Sequence, residues 1–359
     1  MTTYDIAVIP GDGVGREVAA EAMTVAAAAG EKYGFTLSTH TYDWGCDYYL
    51  QHGRMNPPDM LSELTGVDAV FLGCIGDAAK VPDDVSLQLL LTIRKGFDQY
   101  VNLRPITLYE GVSSPVKTAT PERVNMVVVR ENTEGEYSAN GGIFKQDSTD
   151  GFALQTAIFT RKGCERVMRY AFELARRRSR SGSAGKVTNC TKSNALNYSM
   201  VFWDMVFSKV AGAFPDVATD AALVDAMTMW FVKNPEAFDV IVASNLFGDI
   251  ITDLGAMLQG GMGFAAGANL NPEKEFPSMF EPIHGSAPKY EGQGVINPVA
   301  AIEAARMMLD HLGEIGAAAD VEAAVRAVLK SGVVKTRDMG GSAKTRDVGA
   351  AIREAVLAG

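Results

Sequence analysis

The sequence holds 359 residues, 47% hydrophobic and 21% charged, the balance of an ordinary globular protein rather than a disordered or fibrous one. Domains usually run to about 100 to 200 residues, so two lobes are expected. A net charge of −10 excludes a basic face for nucleic acid, and no apolar run approaches the roughly 18 residues of a membrane span.

Tyr4 to Pro10 is a short apolar strand pattern, followed by a glycine turn from Gly11 to Gly15 and an alanine-rich helical stretch from Glu17 to Ala29. Strand then helix recurs at Ala69 to Gly73, Asn125 to Val129, Lys186 to Thr191 and Asp239 to Ala243, which predicts an α/β fold with a largely parallel sheet. The run Arg176-Arg-Arg-Ser-Arg180 reads as a solvated helix end. Cys46, Cys74, Cys164 and Cys190 lack the paired spacing of a zinc site or disulfide framework and are expected to be reduced and buried. Met1 leads straight into a strand pattern without a basic and then apolar leader, so a cytoplasmic enzyme is expected.

The turn Gly11-Asp-Gly13-Val-Gly15-Arg16 stands where a Rossmann fingerprint would lie, but Arg16 fills the place of its third glycine. No acidic residue stands at a clear strand end about 20 residues on to complete the fingerprint. The turn is therefore read as a tight bend, or as backbone lining a ligand from another direction.

Arg94, Arg104 and Arg130 each follow or interrupt apolar, strand-like sequence. An arginine so placed is costly unless it meets an anion, and three can clamp two carboxylates by forked hydrogen bonds, or each can serve a structural ion pair. Tyr137 is either a candidate acid or packing. Thr191-Lys-Ser-Asn194 ends a strand, with Ser193 or Asn194 a plausible helix cap; Lys192 beside a helix start and a cation would suit base work, or it is simply exposed. Asp249 and Asp253 lie four apart at the start of a helix, on one face; hard oxygen ligands there suit magnesium or manganese, though solvated aspartates share the spacing. Glu281-Pro-Ile-His-Gly-Ser-Ala-Pro-Lys-Tyr290 is a loop of small and polar residues that lets backbone approach a nucleotide closely.

In order along the chain, Ile9 to Gly15, Asn102 to Pro105, Val129 to Tyr137, Thr191 to Asn194, Asn245 to Asp253 and Glu281 to Pro288 closely resemble the isopropylmalate and isocitrate dehydrogenase family of β-decarboxylating hydroxyacid dehydrogenases. The resemblance implies an isopropylmalate dehydrogenase-like two-domain α/β fold with a mixed, largely parallel sheet that is not a Rossmann fold. It implies a discontinuous first domain, 1–100 and 258–359, carrying the cofactor loop, and a second, 101–257, carrying the dimer interface and metal aspartates. It further implies a homodimer with shared active sites, in which Arg94, Arg104 and Arg130 hold the substrate carboxylates. Asp249 and Asp253 would bind Mg2+ or Mn2+ with Asp225 of the other subunit, Lys192 would be the base and Tyr137 the acid. Glu281, His284, Gly285, Ser286, Ala287, Lys289, Tyr290 and Asn297 would receive NAD or NADP. A non-catalytic regulatory subunit, the minor alternative, would be expected to have lost some of these groups, and all are present.

Within that resemblance, Gln88 and Leu90 fall where an isocitrate enzyme carries serine and asparagine, so isocitrate is not expected. Leu90 and Leu91 would suit an isopropyl group, whereas Val81-Pro-Asp-Asp and Gly96 to Pro105 look more like the tartrate and D-malate branch. D-malate or tartrate is the expected substrate, with 3-isopropylmalate or another alkylmalate the alternative. Lys289-Tyr290 replaces the aspartate usual in NAD-linked relatives, which tilts the expectation to NADP or dual use; Lys335-Thr-Arg337-Asp338 could add charge nearby.

Overall fold

A computed structural model describes residues 2–359. The chain divides into two compact units: unit 1 is the segment up to Gln99, Thr107–Pro121 and Ala256–Gly359, and unit 2 is Tyr100–Ile106 and Glu122–Gly255. Thr107–Pro121, grouped with the second domain in the sequence reading, belongs with unit 1.

In chain order the strands are β1 (Thr2–Gly11), β2 (Phe35–Thr41), β3 (Ala69–Cys74), β4 (Val101–Thr107), β5 (Asn125–Glu131), β6 (Gly135–Phe144), β7 (Phe152–Ile158), β8 (Lys186–Thr191), β9 (Ala218–Leu223), β10 (Val240–Ala243), β11 (Ala266–Leu270) and β12 (Ser278–Pro282). Unit 1 arranges its strands β2-β1-β3-β12-β11, parallel except for β11 against β12. Unit 2 has the order β4-β5-β10-β8-β9, parallel from β5 through β9, and a separate antiparallel ribbon of β6 and β7.

Apolar residues run unbroken from Ile6 to Pro10 of β1 and from Ala69 to Leu72 of β3 because both faces of the unit 1 sheet are covered there. Ala7, Ile9, Val70 and Leu72 alternate onto one face, with Leu89, Ile93 and Phe97 packed against them. Helix Gly15–Tyr33 packs on β1, β2 and β3 through small buried residues Ala19, Ala22, Ala26 and Ala29, and helix Val299–Leu312 packs on β12, β11 and β3. That helix stops at Gly34, whose φ of +82° lets its N–H return to Gly30 O.

Three local readings are corrected. Leu89 to Ile93 is not strand-like but part of the helix Asp83–Gly96, because the buried residues Leu89 and Ile93 repeat at four, so Arg94 sits in a last helical turn. The helix after β8 begins at Ser199, not near Ser193: Ala195 N and Leu196 N both bond Lys192 O in a tight turn that delays it. The end of helix Arg161–Arg180 is not wholly solvated, since Arg178 Nε bonds the buried Asp239 at 2.6 Å and Arg176 pairs with Asp216.

All four cysteines are free and buried, and burial is the main cause that pushes the thiols of Cys46, Cys164 and Cys190 up to about 12. Among the described residues no helix is long and apolar enough to cross a membrane.

Candidate active site

Unit 2 builds a carboxylate and guanidinium cluster at the carboxyl ends of its parallel strands. β5 and β10 pair with Arg130 opposite Ala243, so the apolar strand Val127 to Val129 delivers Arg130 beside the start of helix Asn245–Leu258. Arg130 is 2% exposed, and its charge is met on two sides: Asn245 Oδ1 accepts from Nε at 3.1 Å and Nη2 at 2.7 Å, and Asp249 Oδ1 accepts from Nη1 at 2.6 Å. Gly248 makes this possible, because a Cβ there would lie 2.5 Å from Arg130 Cγ.

Arg104, also buried, is oriented by Asn102 at 2.7 Å and Thr252 at 2.6 Å and brings Nη1 to 3.5 Å from the same Asp249 oxygen. The Tyr137 hydroxyl donates to the other oxygen, Asp249 Oδ2, at 2.9 Å, and the Arg130 guanidinium lies 5.5 Å from the centre of the Tyr137 ring. Asp253 follows one turn later. Desolvation, with the Asp249 charge second, pushes its carboxyl up, against the pull of Arg104 and Arg130.

Lys192 and Asp225 form a pair of their own. β8 and β9 are in register from Lys186 opposite Ala218 to Thr191 opposite Leu223, so the residues just beyond both strands meet, and Lys192 Nζ lies 2.8 Å from Asp225 Oδ2. That ammonium holds the Asp225 carboxyl below its ordinary value. Among the described residues no three His, Cys, Asp or Glu side chains converge as a cation site, so within one chain Asp225 does not join Asp249 and Asp253. Asp249 and Asp253 nevertheless fit a hard divalent cation in part: they are oxygen donors on one helix face, and of the causes that raise the Asp253 carboxyl, burial first and the Asp249 charge second, a cation would relieve the second.

In unit 1, Arg94 Nη2 pairs with Glu281 Oε1 at 2.8 Å; both side chains are buried, and Asn269 Nδ2 donates to the same oxygen at 2.8 Å. Glu281 belongs to the wall of a cavity of about 470 Å³, with Cys74 to Ala78, Ser86, Leu87, Leu90 and the His284 to Pro288 loop. Leu87 and Leu90, three apart on the helix, line this cavity and Leu91 does not, as helical rather than consecutive spacing requires.

A second cavity, of about 690 Å³, opens onto the same loop: His284, Gly285 and Ala287 line both, and Tyr290, Asn297, Arg337 and Asp338 line only the larger. Ala287 holds φ +40°, a strained value for a residue with a side chain, immediately before Pro288. His284 Nδ1 lies 3.0 Å from Gly285 O and 3.6 Å from Cys74 Sγ, and its Nε2 is buried without a partner; burial is the main cause that keeps this imidazole's pKa below its ordinary value. Asn297 Nδ2 donates to Asp338 Oδ2 at 3.1 Å, and Lys289 Nζ stands 4.8 Å over the Tyr290 ring. Ser286 is consumed by structure: its Oγ bonds Gly76 O and its carbonyl accepts Val14 N–H.

Nothing in the sequence assigns a role to Asn102 and Thr252, which orient Arg104, to Asn245, which orients Arg130, or to Asn269, which holds the Glu281 partner of Arg94. Asn102 and Asn245 stood inside motifs already singled out, and Thr252 lies three residues after Asp249, on its helix face; Asn269 carried no signal.

The family model for isocitrate/isopropylmalate dehydrogenases matches residues 5–352. A probable tartrate dehydrogenase/decarboxylase of Bacillus subtilis is 47% identical over 95% of this chain and 94% of its own. The D-malate dehydrogenase (decarboxylating) of Escherichia coli is 46% identical over 99% of both chains. The crystal structure of isocitrate dehydrogenase from Methylococcus capsulatus superimposes with a TM-score of 0.87 at 35% identity, covering 99% of each chain.

Proposed function

Because the chain belongs to the isocitrate/isopropylmalate dehydrogenase family and is a β-decarboxylating hydroxyacid dehydrogenase, we propose that it oxidises D-malate or tartrate and releases the neighbouring carboxylate as carbon dioxide. The observation that carries this reading is the convergence of two buried arginines and a tyrosine hydroxyl on Asp249. The family generally uses a divalent metal and NAD(P). Held by Asp249 and Asp253, a divalent metal would supply Lewis acidity to the oxygen on the substrate's C2, and a bound NAD(P) would supply the hydride acceptor.

In this reading Arg94, Arg104 and Arg130 hold the substrate carboxylates, exchanging protein acceptors for ligand ones. Lys192 takes the hydroxyl proton. Tyr137, whose O–H already points at an anionic oxygen, returns a proton to the enolate left by decarboxylation. Asp249 and Asp253 supply metal ligands for Mg2+ or Mn2+, and Asp225 supplies another from a second copy of the chain.

The homodimer this requires draws support from unit 2, where Tyr198, Val201, Met205, Met229, Trp230, Ile143, Phe152 and Leu154 are large apolar side chains left exposed. Such a surface needs a cover, and a second copy also resolves the separation of the Lys192–Asp225 pair from Asp249. The four free, buried cysteines accord with a cytoplasmic setting.

A second substrate reading rests on the 470 Å³ cavity: Leu87, Leu90 and Ile75 offer it an apolar side, which suits a 3-alkylmalate. Assaying D-malate, both tartrates, 3-isopropylmalate and isocitrate in parallel decides between them, and turnover of isocitrate above the other acids overturns both.

For the dinucleotide, the two cavities meeting on the His284 to Ala287 loop match the two halves of the cofactor. Arg337 lines the larger one beside Asp338, and Lys289 stands over Tyr290 of its wall, which favours NADP or dual use; an NAD preference above about tenfold in kcat/KM, about 1.4 kcal/mol, sinks that assignment.

A further inference from the structure

The Gly11 to Gly15 turn stands where a phosphate cradle would be, yet its polar groups are taken by the protein. Asp12 N donates to Cys74 O at 2.7 Å, Gly15 N to Asp12 O at 3.0 Å and Val14 N to Ser286 O at 2.8 Å. The approach to Ser286 is so close that a Cβ on Gly13 would lie 2.2 Å from its carbonyl oxygen, and Gly13 holds φ +52°, which only glycine adopts freely. The turn is therefore a contact between β1 and the His284 to Pro288 loop.

Asp12 itself is 4% exposed and meets two backbone donors, Cys46 N at 2.7 Å through Oδ1 and Gly76 N at 2.8 Å through Oδ2. The Gly76 peptide is held from its other side as well, since its carbonyl accepts the Ser286 hydroxyl. Asp12, Gly76, Ser286 and Val14 thus close a ring of hydrogen bonds. Gly76 and Ser286 line the 470 Å³ cavity, and Val14 lines the 690 Å³ cavity. Asp12 lines neither, facing a smaller pocket of about 210 Å³ with Arg16 and Asp47.

We propose that Asp12 is a positioning residue for the dinucleotide: its carboxylate latches the Gly76 wall and, through it, the Ser286 loop into the shape the cofactor binds, without touching the cofactor. The proposal rests on the reading of the two cavities as the cofactor site. An ionised carboxylate suits the place because it accepts two N–H groups at once, whereas an amide must turn a donor toward one of them.

The test is Asp12→Asn in the full-length protein, with dinucleotide binding measured directly by calorimetry and the two Michaelis constants measured separately. The Kd and KM for the preferred dinucleotide should rise by about tenfold or more, while the KM for the metal-bound diacid, whose carboxylates fall to Arg94, Arg104 and Arg130 rather than to the Gly76 and Ser286 walls, stays within about twofold. Gly13→Ala, which pushes Ser286 away from the other side, should reproduce that split and carries the test if Asp12→Asn does not fold. A folded Asp12→Asn with unchanged dinucleotide affinity, or one in which both Michaelis constants rise together, overturns the latch. Wild-type protein that binds no dinucleotide in the same titration overturns the reading of the cavities and the latch with it.

Discussion

The Tyr137 hydroxyl donates to Asp249 Oδ2 at 2.9 Å while Arg130 occupies the same residue's Oδ1 at 2.6 Å. A phenol so placed is oriented by an acceptor whose second oxygen is fixed, so its proton points in a defined direction before any substrate arrives. Tyr137→Phe keeps the ring beside Arg130 and removes the hydroxyl, with its proton and its hydrogen bond to Asp249. Hydride transfer should survive in part, while appearance of the protonated product slows by about 10²-fold or more, the ordinary worth of a placed general acid. Rapid-quench measurement of reduced cofactor and product separates the two, and equal loss in both contradicts the assigned role.

Asp249 is the acceptor on which three donors converge, so Asp249→Asn should act twice. Its nearly isosteric amide keeps the fold but weakens Mn2+ binding by about tenfold or more. It also leaves Arg104 and Arg130 short of an anion, which should lower metal-free stability by about 1 to 3 kcal/mol in urea melts. Unchanged metal affinity in this variant would remove Asp249 from the ligand set.

The raised Asp253 carboxyl gives a pH signature with a definite sign. Metal-free, the folded chain keeps this proton at pH values where an unfolded aspartate has lost it, so this group's contribution to stability falls as pH rises from the ordinary aspartate value through the raised one. A cation must displace that proton. Mn2+ affinity should therefore climb as pH rises from the ordinary aspartate value through the raised one and flatten above it, with Asp253→Asn abolishing the slope. An affinity independent of pH in that range would show that Asp253 holds no metal.

Gly248 offers a purely steric test of the same cluster. A methyl at 2.5 Å from Arg130 Cγ forces the guanidinium off Asn245 and Asp249, and overpacking of this kind costs about 1 to 3 kcal/mol. Gly248→Ala should lose about 10²-fold in kcat/KM with both arginines still present. Wild-type kinetics would show that the Arg130 geometry seen here is dispensable.

How much of this was legible in the sequence follows from what each residue's neighbours could reveal. β8 was bounded correctly, from Lys186 to Thr191, because its pattern is short and flanked by polar turns. The cluster around Asp249 was legible because Asp249 and Asp253 share a helix face and Arg130 ends an apolar strand, both local patterns. Arg94 follows sequence that reads as strand-like because Leu89-Leu-Leu-Thr-Ile93 is too short and too uniformly apolar to separate the two periods, and burial of Leu89 with Ile93 settles it only in three dimensions. The partner of Arg94 lies 187 residues away at Glu281, and that of Arg178 lies 61 away at Asp239, distances at which a single sequence carries no pairing signal. The Gly11 to Gly15 turn shows the same limit from the other side: its failure as a Rossmann fingerprint could be read, but its contact with Ser286 could not.

The separation of Lys192 and Asp225 from Asp249 bears on the last prediction. Both residues leave adjacent parallel strands at the same level and neutralise each other at 2.8 Å, and among the described residues Asp225 gathers no group of three metal-ligating side chains around it. If a second copy supplies the pair to the Asp249 cluster, each site draws on two chains and the two defects Lys192→Ala and Asp249→Asn fall in different chains of a mixed dimer. One site of that dimer then carries both lesions and the other carries neither. Co-expressed, differently tagged variants purified as the mixed species should regain up to about half of wild-type kcat per dimer, with KM unchanged because the intact site is complete. Each variant alone should remain inactive. A confirmed mixed dimer without recovered activity would place Lys192 and Asp249 in the same chain's site and overturn the shared arrangement.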